Sequence, residues 1–451
     1  MNERELLAEA DARGLRYLEG NSTRRVFPDA DAIAALSAFD EPLPQAGESA
    51  EQTLALLDDI GSPATTASNG PGYLGFVVGA TLPSASAAER LIVAWDQCAS
   101  SFLNSPVADT VERVAGRWVL EALDLPRESA VGFGTSATAC TLAALAAARR
   151  ELLAREGWDI DNDGLPGAPE IKVVVSELVH ITVKKALRIL GFGMSRLIIA
   201  PVDAFGRVDV QQLPPLDART ILCLQAGEVN TGEFDPFAQI IPRAHAAGAW
   251  VHVDGAFGLW ARASSQAALT QGIELADSWT TDAHKWLNTP YDCAMVICRD
   301  PQVLAGAMNS DAVYMSASAD AQKNLTLEFS RRPRGIPVWA ALRVLGREGV
   351  REMVDRHCML ARVISEGLKQ LGFEVLNRVV INQVLFRCGS DAQTEAVLAA
   401  AQASGKTWFG TTRWQGRPAL RISVSSWRTQ RQDVDALLEL LGQINAESQQ
   451  S

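Results

Sequence analysis

Asp254 and Lys285 are the two residues whose types and positions point most directly to chemistry. The segment HVDGAFGLWA places Asp254 at the C-terminal end of a predicted strand, and DSWTTDAHKWL places Lys285 just after another. Open α/β sheets bind ligands outside the carboxyl ends of their strands, so both side chains are expected in one crevice. Taken singly, each has a plainer reading, the Asp as a turn or cap residue and the Lys as a solvated surface charge. Together they offer an amine that can form a Schiff base and a carboxylate that can keep a heteroaromatic ring nitrogen protonated. Those are the two requirements of pyridoxal phosphate chemistry. His284, Trp286 and the apolar run around them predict the dry surroundings a neutral amine needs.

A phosphate group needs backbone donors at a helix start. VGFGTSATACTLAALAAARR leads from small residues straight into a helix-forming run, making Thr135, Ser136, Ala137 and Thr138 the expected cradle. The same residue types also serve as ordinary helix N-caps. Neither GxGxxG nor GxxxxGK[ST] occurs, so a dinucleotide or nucleoside triphosphate has no comparable claim. His180, in VVVSELVHITVKKALRILG, stands after a strand and at the start of a helical pattern. From there an imidazole can lie on the face of a pyridine ring and donate to a substrate carboxylate; the alternative is a helix N-terminal histidine with a structural bond. His252 points to the same side of its strand as Asp254. As metal ligands the two lack a third partner at a useful spacing, and no metal is expected.

These residues need an α/β framework. From about residue 85 to 345, short β-rich runs (IKVVVS, SRLIIAPV, TILCLQA, AWVHVDG, CAMVICR) alternate with Ala-rich helical segments. The pattern predicts a largely parallel sheet covered on both faces. The first 60 residues read as an N-terminal helical arm broken by FPDADA and EPLPQAGES, residues 61–345 as the large domain, and 346–451 as a small C-terminal α+β domain joined by a long helix. A chain of 451 residues with 47% hydrophobic and 21% charged residues is an ordinary ordered globular protein. Its net charge of −12 repels phosphate backbones and anionic lipid, which argues against nucleic acid as a partner. The opening MNERELLAEADARG lacks the pattern of a signal peptide, and no stretch is long and apolar enough for a membrane span, so a cytoplasmic protein is expected. Seven scattered cysteines without a CxxC read as reduced, mostly buried thiols.

The ordered set TSAT at 135–138, His180, QAGEVNTGEFDP at 225–236, HVDGAFG at 252–258, DSWTTDAHKW at 277–286 and FSRRPRGIPVWAALRVLG at 329–346 resembles the group II pyridoxal-phosphate-dependent amino acid decarboxylases, which include the aromatic-L-amino-acid and glutamate decarboxylases. The resemblance runs from about residue 55 to about 445. It implies the aspartate aminotransferase-like fold (PLP fold type I), an amino acid substrate, and a homodimer with the active site at the subunit interface. It further implies that Lys285 forms the internal aldimine, Asp254 pairs with the pyridinium nitrogen, His180 stacks on the ring and Ala256 lies against its other face. Ser136, Ala137 and Thr138, with His284, hold the phosphate by the same resemblance. Near the ring hydroxyl, Glu228, Asn230 and Thr231 compete for one place.

Three features depart from the common family pattern. TSAT lacks the paired glycines and the acid of TSGGTE, Glu228 replaces a Thr, and MSASADAQKNLTLEFS at 315–330 contains no Tyr. Tyr314, just ahead of that segment, or His180 is then the candidate to return a proton to the substrate carbon. Tyr73, Phe76 and Phe102 are candidate lining for a substrate pocket, with core packing as the alternative, and their types lean toward an aromatic or large apolar substrate. The expected reaction is α-decarboxylation of an L-amino acid. The competing readings are an oxidative aldehyde synthase, an aminotransferase with Arg421 as carboxylate clamp, and a non-catalytic binding protein on the same scaffold.

Overall fold

The computed structural model describes residues 1–309 and 320–448. It divides the chain into two compact units, Thr81–Ala361 with Asn377–Gln383, and Met1–Ala80 with Arg362–Leu376 and Val384–Ser451.

In the first unit, the continuously apolar runs of the sequence become the buried strands of a seven-stranded sheet. A strand covered on both faces has no solvent side to mark with polar residues. The strands are β1 (Ala130–Gly134), β2 (Lys172–Ser176), β3 (Ile198–Ala200), β4 (Thr220–Gln225), β5 (Trp250–Asp254), β6 (Ser278–Asp282) and β7 (Ala294–Cys298). Their spatial order is β1-β7-β6-β5-β4-β2-β3. The pairs β2/β3, β2/β4, β4/β5 and β5/β6 are parallel, and β7 runs antiparallel to both β1 and β6. The register sets Gln225, Asp254 and Thr280 side by side. Because β1 and β6 both oppose β7, they run in the same direction, with Gly134 and Asp282 each level with Ala294. The carboxyl ends of β1, β4, β5 and β6 therefore share one edge, where α/β sheets hold their ligands.

The helix Ala137–Arg155 sets the position of the loop after β1. Ala143, Ala144, Ala147 and Ala148 are buried and pack, with Leu145 and Leu152, in one core with Val173, Val175, Ile221 and Val296. Alanine carries no side-chain entropy cost and lets the helix axis lie close to the sheet, while each buried Leu contributes roughly 1.5–3 kcal/mol. On the outer side of β1, the side-chain amide of Gln322 does what a neighbouring strand would. It accepts from Phe133 N at 2.9 Å and donates to Val131 O at 3.0 Å. Nearby, Arg331 forms a fully buried two-pronged pair with Glu112 (2.6 and 3.0 Å) and donates to the carbonyls of Ala99 and Phe133.

The second unit contains a four-stranded sheet of β8 (Glu374–Val375), β9 (Gln383–Arg387), β10 (Gly410–Trp414) and β11 (Arg417–Ser423), in the order β10-β11-β9-β8. β10 and β11 form a hairpin whose two loop residues, Gln415 and Gly416, both have positive φ, as a type I′ turn requires. The N-terminal residues fold within this unit: Val26 N bonds Gly405 O at 2.8 Å and Leu74 N bonds Trp408 O at 2.7 Å. A Cβ on Gly75 would come within 2.1 Å of the Trp408 ring, so only glycine fits there. The helical run Gly335–Gln370 is broken at Gly346, where φ is 59°. No helix among the described residues is long and apolar enough to cross a membrane. All seven cysteines are free thiols, and all but Cys98 are buried.

Candidate active site

β6 ends on Asp282, and the turn that follows carries His284 and Lys285. The Lys285 side chain is 20% exposed, and its Nζ lies 3.2 Å from Asp282 Oδ2. His284 is buried and its Nδ1 accepts from Cys293 N at 3.1 Å, which puts the ring proton on Nε2, 3.5 Å from Asp282 Oδ1. The ring stacks on Tyr291 with centroids 4.2 Å apart. Burial lowers the His284 pKa, and the charge of Asp282 opposes that only in part.

Asp254 is the last residue of β5 and is buried, with Oδ1 accepting from Ala256 N at 3.1 Å. The Ala256 carbonyl in turn accepts from Asp282 N at 2.8 Å, tying the ends of β5 and β6 together. Ser136 is the N-cap of the helix after β1, its Oγ accepting from Ala139 N at 3.3 Å. Ala137, the first helical residue, donates its N–H to Asp282 Oδ1 at 2.7 Å. The Thr138 N–H meets no acceptor among the described residues, as expected of a first-turn donor. Thr135 and Thr138 are half-buried beside it.

His180 is the N-cap of the helix Ile181–Ile189, with Nδ1 accepting from Thr182 N at 3.4 Å and lying 2.7 Å from Thr182 Oγ1. That contact leaves the ring proton on Nε2. Asn230 belongs to a buried turn after β4 built around Glu228. Glu228 Oε2 accepts from Asn230 N (2.8 Å), Thr231 N (2.7 Å) and Thr231 Oγ1 (3.1 Å), and Oε1 accepts from Asn230 Nδ2 (2.9 Å). The Glu228 carboxylate is thus turned into its own loop, where burial raises its pKa against the pull of these four donors.

The structure brings Lys285, Asp254, Ala256, His284 and the 135–138 turn to one edge of the sheet through β1, β5 and β6, and places His180 and Asn230 after β2 and β4 of the same sheet. Phe102 lies in an exposed turn of this unit. Tyr73 and Phe76 belong to the other unit and flank Trp408. Tyr73 is buried and stacked on the indole at 5.1 Å and 6°, its hydroxyl pKa pushed up to about 12 by burial, while Phe76 is exposed with its ring 5.0 Å from the indole. Arg421 is buried in β11 of that second unit. Tyr314 lies outside the described residues.

Sequence reasoning missed Asp282. It stands in the DAHKW run, three residues before the lysine, but its contact with Ala137 spans 145 residues of sequence, and an Asp at a strand end carries no signal of that. As a set, a lysine amine, a buried strand-end carboxylate and a helix N-terminus with an available N–H fit a phosphorylated aromatic aldehyde. The amine suits the aldehyde, the carboxylate a protonated ring nitrogen, and the helix start the phosphate.

The profile of a family described as "Pyridoxal-dependent decarboxylase conserved domain" matches residues 35–389. Aromatic-L-amino-acid decarboxylase of Bos taurus is 28% identical, over 91% of this chain and 89% of that protein. Phenylacetaldehyde synthase of Arabidopsis thaliana is 25% identical, over 87% of this chain and 86% of that protein. Among solved structures, Oryza sativa TDC with PLP and tryptamine superimposes with a TM-score of 0.90 over 99% of both chains at 23% identity, a likeness of fold.

Proposed function

The chain belongs to the pyridoxal-dependent decarboxylase family, whose cofactor is pyridoxal 5'-phosphate, and we propose that it removes the α-carboxylate of an aromatic or large apolar L-amino acid as carbon dioxide, leaving the amine. When bound, the cofactor supplies a conjugated cationic ring that takes up the charge left on the substrate carbon.

The residues of this chain do the holding and the proton handling. Lys285, through Nζ, would be the residue that holds the cofactor by its aldehyde. Asp254 keeps a proton on the ring nitrogen, a task suited to a buried carboxylate with a backbone donor on one oxygen. Ser136, Ala137 and Thr138 would hold the phosphate at the helix N-terminus, and Ala256 would supply an apolar contact for the ring. His180, with its proton on Nε2, donates to the substrate carboxylate and orients it. The protein acts as a homodimer, and Tyr314 or His180 returns the proton to the substrate carbon.

The observation that carries this reading is the meeting at one sheet edge of the Asp254 strand end, the Lys285 turn and the start of the helix Ala137–Arg155. The substrate class is supported by the Bos taurus relative, named for aromatic L-amino acids. Carbon dioxide, ammonia and hydrogen peroxide should be measured together while the L-amino acids are presented one at a time. Carbon dioxide and amine without peroxide are expected. Peroxide with ammonia would instead favour the aldehyde-forming reading, to which the Arabidopsis thaliana relative lends support. Lys285→Ala should lower turnover at least roughly a thousandfold, the scale of losing an essential nucleophile, and should abolish the yellow colour that borohydride bleaches in the parent protein. Full turnover in that variant would refute the assignment.

A further inference from the structure

Asp282 already occupies two of the points that a phosphorylated aldehyde must reach. Its Oδ1 accepts the first N–H of the helix Ala137–Arg155 at 2.7 Å, and its Oδ2 lies 3.2 Å from Lys285 Nζ. The side chain is only 4% exposed. A helix N-terminus attracts anions through its unpaired N–H groups and its dipole, and here part of that attraction is spent on a residue of the chain itself. His284 does not cancel the charge. Its Nδ1 is taken by the Cys293 N–H, and burial favours the neutral ring, which can offer Asp282 an N–H dipole at 3.5 Å but no full positive charge. A carboxylate and a phosphate sharing one poorly solvated helix end repel each other.

We propose that Asp282 sets how tightly this chain holds its cofactor. Its carboxylate is a resident anion that clamps the helix start and Lys285 together until phosphate and aldehyde displace it, and its charge weakens the grip on the phosphate. The inference rests on the reading of Lys285 and the helix start as the cofactor's anchors. It goes beyond that reading by assigning a residue that works against the phosphate within the cradle.

The test compares pyridoxal 5'-phosphate with pyridoxal, which has the same aldehyde but no phosphate, on the full-length apoprotein stripped with hydroxylamine. Asp282→Asn keeps an acceptor for the Ala137 N–H and removes the charge. The preference for the phosphorylated compound, taken as the ratio of the two dissociation constants, should rise roughly tenfold or more over wild type. Inorganic phosphate should compete at a correspondingly lower concentration. An unchanged or reduced preference overturns the proposal. Asp282→Ser, which can also cap a helix, is measured in parallel so that misfolding of one variant does not decide the matter. Borohydride reduction followed by peptide mass mapping separates the two levels of the claim. Absence of a pyridoxyl group on Lys285 in wild type defeats the site assignment and the inference together, whereas its presence with equal preferences in wild type and variants defeats only the role of Asp282.

Discussion

Glu228 and Asp282 are both buried acids at the edge of the large sheet where β4, β5 and β6 end, one just beyond β4 and the other at the end of β6, on either side of β5. Glu228 draws its four hydrogen bonds from Asn230 and Thr231, residues two and three positions further along. Asp282 draws on Ala137, from a distant part of the chain, and on His284 and Lys285. The first is a closed local device that shapes a turn. The second is a junction between a helix, a strand end and the Lys285 amine, so a change in its charge is expected to act at the proposed site rather than in the fold. Two acids with similar burial can therefore have separate consequences, and where their donors come from decides which.

The largest expected effect tests the local device. Glu228→Ala removes the acceptor that Glu228 Oε2 offers the Asn230 and Thr231 N–H groups and should cost roughly 3 kcal/mol in urea unfolding. The preference for phosphorylated over unphosphorylated cofactor should stay at its wild-type value, and a shift in that preference comparable to the one expected of Asp282→Asn would erase the distinction drawn here. His252 probes the sheet interior between the two acids. It is fully buried, with Nδ1 2.9 Å from Ser278 Oγ, and burial pushes its pKa down to about 3. An unfolded histidine titrates near ~6.5, so the unfolded chain gains a proton first as pH falls. The associated stability is fully present above that value and drains away toward pH 3. Between pH 7 and pH 5 this amounts to about 2 kcal/mol, and His252→Gln should lose that much less stability over the same interval in paired urea titrations. A variant as acid-sensitive as wild type would show that the imidazole is not the source. The smallest effect concerns the helix start: Ser136→Ala removes the cap on Ala139 N and should lower stability by about 1 kcal/mol. Asp282→Asn, which keeps its acceptor, should cost less than that in the same measurement.

Much of the architecture was legible because its signals are local. IKVVVS, TILCLQA, AWVHVDG and CAMVICR read as buried strands and became β2, β4, β5 and β7, and the alanine run after TSAT became the helix that follows β1. Lys285 and Asp254 could be singled out because a lysine just past one strand and an acid at the end of another match a specific chemistry. What stayed hidden depends on contacts between distant residues. Asp282 lies in full view beside Lys285, yet nothing local reveals that it caps a helix beginning at Ala137. The orientation of Glu228 depends on the φ of +86° at Gly227 and the tight turn that follows, so composition alone left it open between a cofactor contact and a residue turned away. Arg331, visible in the FSRRPRG motif, has its buried partner 219 residues earlier at Glu112, a pairing that no spacing rule supplies.

The Gln322 amide has a consequence for how this protein behaves in concentrated solution. β1 is the outermost strand on its side of the sheet, and the main-chain groups of Val131 and Phe133 on its outer flank are engaged by two side chains from a separate part of the sequence, Gln322 and Arg331. Unpaired groups of that kind are templates for strand addition by another copy of the chain. With Gln322 and Arg331 in place, those groups of β1 are already paired and are not on offer to another strand.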